Sequence, residues 1–141
     1  MQIIPIPKIL IIEDQMIIAA DMQLQLIQLG YQVIGVHQSA KTALVNIQKN
    51  QPDLIIIDIG LKGNNGGIEV AQYILANIFI PILFLSYGID HPTFQKMKAI
   101  KPYAVIPKPF QKMDLQRGIQ KALDRINYEK QLGIITSKNL S

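Results

Sequence analysis

Pro52-Asp53-Leu54-Ile55-Ile56-Ile57-Asp58-Ile59-Gly60 is the stretch that decides the fold. Its apolar run is too short for a useful helix, is rich in β-branched residues and is opened by a proline, so it reads as a strand buried on both faces. Strands of that kind belong to parallel sheets covered by helices on either side. The run ends abruptly on Asp58. In an open parallel sheet the carboxyl ends of the strands face the ligand crevice, which places an acid there better for chemistry than for packing. An isolated strand-end Asp is more often a turn or cap residue, so its meaning depends on what the rest of the chain brings beside it.

Upstream, Lys8-Ile9-Leu10-Ile11-Ile12 is a second short branched run, and it too ends on acids, Glu13 and Asp14. Ile17, Ile18, Met22, Leu26 and Leu29 then recur at helical spacing until Gly30. Tyr31 to Val36 is a weaker strand, and Ser39 is placed to cap a helix carrying Ala40, Ala43, Leu44 and Ile47. Downstream of Asp58, four glycines fall within residues 60–67, which predicts a loop with positive backbone dihedrals beside the acid. Ile68, Ala71, Ile74 and Leu75 mark a third helix, and Pro81 to Ser86 a fourth strand that ends on a hydroxyl. A fourth helix from about Pro92 to Ile100 has the poorest pattern. Tyr103 to Ile106 is a fifth strand, and Leu115, Ile119, Ala122, Leu123 and Ile126 are the stripe of a last amphipathic helix.

Five strand-helix units, joined by right-handed crossovers, give an α/β fold: a doubly wound five-stranded parallel sheet in a three-layer α/β/α sandwich. The order 2-1-3-4-5 would bring Glu13, Asp14 and Asp58 together at the switch point, with Ser86 and Lys108 at the flanking strand ends. Residues 1–126 read as one domain, with 1–7 as an N-terminal extension and 127–141 as a C-terminal extension or linker.

At 141 residues, 49% hydrophobic and 17% charged, the composition is that of a compact single domain. Every apolar run is far shorter than a membrane span and the first residues carry no secretory pattern, so a cytoplasmic protein without membrane contact is expected. The chain has no cysteine and two histidines, His37 and His91, without metal-ligand spacing, so any metal must be held by oxygen. A net charge of +4 is dispersed rather than clustered, which argues against direct nucleic-acid binding.

Three carboxylates about 4 Å apart repel by roughly 4 kcal/mol per pair at an effective dielectric of 20, so such a cluster shifts its pKa values or recruits a cation. All-oxygen ligands favour Mg²⁺, which keeps several waters and accepts a phosphate oxygen. Lys108 brings a point charge, Ser86 a hydroxyl and the glycine-rich loop backbone N–H groups, all suited to a phosphoryl group. Asp58 then becomes a nucleophile able to form an aspartyl phosphate.

Glu13-Asp14, Asp58, Ser86 and Lys108-Pro109-Phe110 together resemble the receiver domain of bacterial two-component response regulators, over residues 8–126. The run from Asp58 to Glu69 is similar to the loop and helix after that family's phosphoacceptor, and Ser86 and Lys108 lie 22 positions apart, as in the family. The resemblance implies the flavodoxin-like sheet order and a domain that catalyses only its own phosphorylation and dephosphorylation. Asp58 would take the phosphoryl group from a sensor histidine kinase or a phosphotransfer protein. Glu13, Asp14 and Asp58 would hold Mg²⁺, Ser86 and Lys108 would contact the phosphoryl oxygens, and the bond before Pro109 would be cis. The response would be a change in the face of helix four, strand five and helix five, passed to a downstream protein, to an output domain outside this chain or to a homodimer partner.

Several positions depart from the family pattern. The aromatic switch position three before the lysine is Val105, with Tyr103 two residues earlier, so the switch region is Ser86, Tyr103 and Val105 without the usual ring. Tyr87 replaces a small residue after Ser86, where it would crowd or cover the pocket and slow exchange with small donors. Gly66 replaces an acid common in similar loops. Pro107 lacks an N–H and fits only an edge strand. A receiver-like interaction module that is never phosphorylated is the alternative, supported by Val105 and Tyr87 and opposed by the intact acids and Lys108. A flavodoxin-like enzyme or a dinucleotide-binding dehydrogenase would need a glycine-rich loop after strand one, where Glu13-Asp14-Gln15-Met16 stands.

Overall fold

The computed structural model describes residues 5–63, 66–88 and 90–134. The first four residues, Asn64 and Asn65 of the glycine-rich loop, Ile89 and the tail 135–141 lie outside the described residues. The chain alternates strand and helix: β1 (Lys8–Ile12), α1 (Met16–Gln28), β2 (Gln32–His37), α2 (Ala40–Lys49), β3 (Leu54–Asp58), a 3-10 turn (Leu61–Gly63), α3 (Gly67–Asn77), β4 (Ile82–Ser86), α4 (His91–Ile100), β5 (Ala104–Pro107) and α5 (Lys112–Gln131). All five strands are parallel and ordered β2-β1-β3-β4-β5, the doubly wound order expected.

Alternation along the central strands builds two cores. Ile9, Ile11, Leu54, Ile56, Leu83 and Leu85 face α1 and α5, packing with Met22, Leu26, Leu115 and Ile119. Leu10, Ile12, Ile55, Ile57, Ile82 and Phe84 face the other way, against Ala43, Ile47, Ala71, Ile74 and Met97. Every residue of β3 and β4 is buried, whereas β2 and β5 at the edges are partly exposed. Pro107 therefore sits on an edge strand, where its missing donor is tolerated. Among the described residues, no helix is long and apolar enough to cross a membrane.

Local chemistry sets the helix starts. Ser39 Oγ accepts from the Thr42 N–H at 3.4 Å. Asp90, which the periodicity alone did not reveal, accepts from the Thr93 N–H at 2.8 Å, and Pro92 occupies the first turn of α4. α4 buries only Thr93 and Met97, which accounts for its poor apolar pattern.

The glycine-rich loop carries a positive dihedral as expected, at Lys62 with φ 61° and not at Gly60, Gly66 or Gly67. Gly67 is required by space instead, because a Cβ there would lie 2.1 Å from the Asp58 carbonyl oxygen. Beyond the apolar stripe, α5 continues through residues 127–131, where Glu129 is buried and accepts the Tyr103 hydroxyl at 2.9 Å. Arg125 Nε donates to Glu129 at 2.9 Å, and its guanidinium lies 3.9 Å from the Tyr103 ring centroid. A polar clasp cannot register as an apolar stripe, so the stripe stopped at Ile126.

Gly67→Ala is expected to destabilise the fold by about 3 kcal/mol, whereas Gly88→Ala, whose Cβ would meet nothing within 4 Å, stays within about 0.5 kcal/mol. Urea unfolding of the two variants checks the contrast. Tyr103→Phe removes one bond to a buried carboxylate and should cost about 1 kcal/mol in the same assay.

Candidate functional site

The carboxyl ends of β1, β3, β4 and β5 lie at one end of the sheet, where β3 and β4 finish on Asp58 and Ser86 while Glu13 follows β1 and Lys108 follows β5. β1 pairs with β3, so the loop after Ile12 sets Glu13 and Asp14 beside Asp58. One oxygen from each of these three carboxylates lies within 4.8 Å of the others, a grouping able to hold a metal ion. Glu13 is fully buried and Asp58 is 4% exposed, while Asp14 is half-buried.

Lys108 closes the cluster from the end of β5. Its Nζ donates to Asp58 Oδ2 at 3.1 Å and lies 3.4 Å from Glu13 Oε1. The Lys108–Pro109 bond that follows is cis. The second Asp58 oxygen, Oδ1, accepts the Gly60 N–H at 3.0 Å, an Asx-type turn at the head of the glycine-rich loop. That loop also reaches back to β1, because the Lys62 N–H donates to Asp14 Oδ2 at 2.8 Å. The left-handed dihedral at Lys62 lies beside this contact, which residue spacing gave no sign of.

Burial, together with the hydrogen bond and charge of Asp58, pushes the Glu13 carboxyl up to about 7, and the Gln15 N–H and Lys108 only partly offset this. Burial pushes the Lys108 ammonium down, yet Asp58 and Glu13 outweigh it and hold the group above its ordinary value. One ammonium thus serves two acids, Asp58 and Glu13, with Asp14 beside them. A hard divalent cation with oxygen ligands suits what remains, as the donor set contains neither sulfur nor imidazole.

The remaining sequence candidates divide. Ser86 reaches the same strand-end edge, but its hydroxyl donates to the carbonyl oxygen of Tyr87 instead of to Asp58. Tyr87 is exposed, and its ring stacks over Lys108 Nζ at 5.2 Å from the centroid. Val105 projects from β5 with 44% of its surface exposed. Tyr103 is buried in the α5 clasp. The sequence singled out Tyr103 without any sign of Glu129 or Arg125, its partners one helix later.

A doubly wound sheet that gathers three acids and a lysine at its strand ends defines a receiver domain. The sequence model of the response regulator receiver domain matches residues 9–120, and the chain belongs to that family. Sensory transduction protein BceR of Halalkalibacterium halodurans is 34% identical over 121 residues, covering 85% of this chain and 51% of that protein. Phyllosphere-induced regulator PhyR of Methylorubrum extorquens is 31% identical over 117 residues, covering 82% of this chain and 43% of that protein. The chain thus spans about half the length of the curated relatives it matches. Among solved structures, the signal receiver domain of a modulated diguanylate cyclase from Desulfovibrio desulfuricans G20 aligns with a TM-score of 0.79 at 34% identity, covering 89% of this chain and 99% of that one.

The Glu13 carboxyl binds its proton more tightly in the fold, at about 7, than at its ordinary 4.5. Its contribution to stability is therefore full below about pH 4.5 and is withdrawn as pH rises toward 7. In EDTA the thermal midpoint is expected to fall from about pH 5 to about pH 8, Glu13→Gln should flatten that slope, and Mg²⁺ should restore the midpoint at the higher pH.

Proposed function

We propose that this receiver domain works in two-component phosphorelay signal transduction by accepting a phosphoryl group on Asp58. The observation that carries the reading is the pairing of Asp58 with the buried Lys108 ammonium inside a cluster of three carboxylates. Asp58 is the nucleophile: one of its carboxylate oxygens forms a bond to phosphorus while the bond from phosphorus to the donor's imidazole nitrogen breaks, and the nitrogen keeps the electron pair. The donor is the phosphohistidine of a sensor histidine kinase or of a phosphotransfer protein. Lys108, freed from Asp58 Oδ2, meets a phosphoryl oxygen, and the Ser86 hydroxyl turns from Tyr87 to another.

Glu13, Asp14 and Asp58 would hold Mg²⁺, whose charge offsets the negative charge gathering on the transferring group. Glu13 must lose its proton to do so, which links Mg²⁺ affinity to pH. The domain catalyses no reaction on another substrate in this reading. Its response is a population shift in the α4, β5 and α5 face, which Val105 borders without an aromatic ring. Tyr103 is an anchor for α5 rather than a moving switch. The shift is read by a downstream protein, by a second copy or by a further domain of a longer chain, in the cytoplasm. A protein partner is favoured by PhyR of Bartonella quintana, described as an anti-anti-sigma factor, which is 28% identical across 92% of this chain and 52% of its own.

Intact-mass analysis after incubation with Mg²⁺ and a phosphorylated histidine donor tests the reading. One phosphoryl group should be gained, and the gain should disappear with EDTA or in Asp58→Asn. Labelling that persists in Asp58→Asn would place the acceptor elsewhere and overturn the assignment.

A further inference from the structure

We propose that Tyr87 is a latch on this site, setting how readily Asp58 exchanges phosphoryl groups with small molecules. The inference rests on Asp58 being the phosphoacceptor. Tyr87 touches both of the groups assigned to the phosphoryl oxygens: its ring lies over Lys108 Nζ, and its carbonyl oxygen accepts the Ser86 hydroxyl. The Lys108 side chain is 4% exposed and Tyr87 61%, so the ring is the outer layer of this contact.

Both contacts compete with the incoming group. The Ser86 hydroxyl has a single hydrogen and cannot donate to Tyr87 and to a phosphoryl oxygen at once. Lys108 already serves Asp58 and Glu13, and moving its ammonium toward a phosphoryl oxygen draws it from beneath the ring. The closed arrangement therefore has to be opened before transfer. A phosphohistidine carried on a protein brings contacts outside the site that offset this cost, whereas acetyl phosphate brings none. Tyr87 thereby discriminates between a macromolecular donor and a free acyl phosphate.

The same latch acts in both directions. With acetyl phosphate, a carboxylate oxygen of Asp58 forms the bond to phosphorus as the bond from phosphorus to the acetyl oxygen breaks, and acetate leaves with the electron pair. In hydrolysis a water oxygen forms the bond to phosphorus, the Asp58 carboxylate leaves with the electron pair, and the water's proton passes to the released phosphate. Access for either small molecule passes the same ring and the same serine.

The experiment compares wild type, Tyr87→Phe and Tyr87→Ala by intact mass over time with Mg²⁺ and acetyl phosphate, then follows loss of the label after the donor is removed. Tyr87→Ala is expected to gain and to lose the phosphoryl group about two- to fivefold faster, the effect of releasing one cation–π contact whose aromatic residue is exposed. Tyr87→Phe keeps the ring over the ammonium and should behave as wild type, which a loosened loop alone would not produce. Equal rates for wild type and Tyr87→Ala, with Asp58 labelled in both, would overturn the latch and leave the phosphoacceptor assignment standing. Absence of label from all three proteins, together with failure of the phosphohistidine donor, would overturn the assignment and the latch with it.

Discussion

The Lys108 ammonium is the constraint on which the site depends. It lies 3.1 Å from Asp58 and 3.4 Å from Glu13, and so ties the ends of β5, β3 and β1 across a sheet in which β5 is separated from β3 by β4. Among the described residues no other side chain forms an ion pair with either acid, and burial pushes the Glu13 carboxyl toward its protonated form. The lysine keeps negative charge available at the strand ends. It does so without satisfying it, which is why Glu13 retains a proton close to neutrality.

That balance rests on the apolar sheet beneath. β3 and β4 are buried throughout and paired on both sides, which seats Asp58 and Ser86 at the ends of the central strands. The two cores fix α1 and α5 on one face and α2, α3 and α4 on the other. α4 is lightly held, with Thr93 and Met97 as its buried residues and only Met97 of them apolar. The proposed population shift suits such an element, because few apolar contacts would have to be exchanged.

The sheet, its order and the five strand-end residues were legible because each rests on a local signal: branched apolar runs, helical spacing and a polar residue where each run stops. Glu13, Asp14, Asp58 and Lys108 follow from strand order alone once the strands are recognised. Interactions between distant side chains were not legible. Glu129 is an ordinary exposed acid by its spacing, and only the fold reveals that Tyr103, 26 positions away, supplies its partner. The glycine-rich loop was read by conformation, whereas Gly67 answers to steric exclusion against Asp58 and the strained dihedral falls on Lys62. The Tyr87 side chain was expected to crowd or cover the pocket, but its bond to Ser86 through the backbone carbonyl leaves no trace in residue type.

The order of the strands also governs when the site comes into being during folding. Every strand pairs in parallel, so each pairing must wait for an intervening crossover, and β1 meets β3 only after 45 positions of chain have been brought back. Lys108 lies 95 positions beyond Glu13. The ammonium that lies between Glu13 and Asp58 therefore comes from just beyond the last strand in chain order, and a chain lacking that strand would hold the acids without their counter-charge.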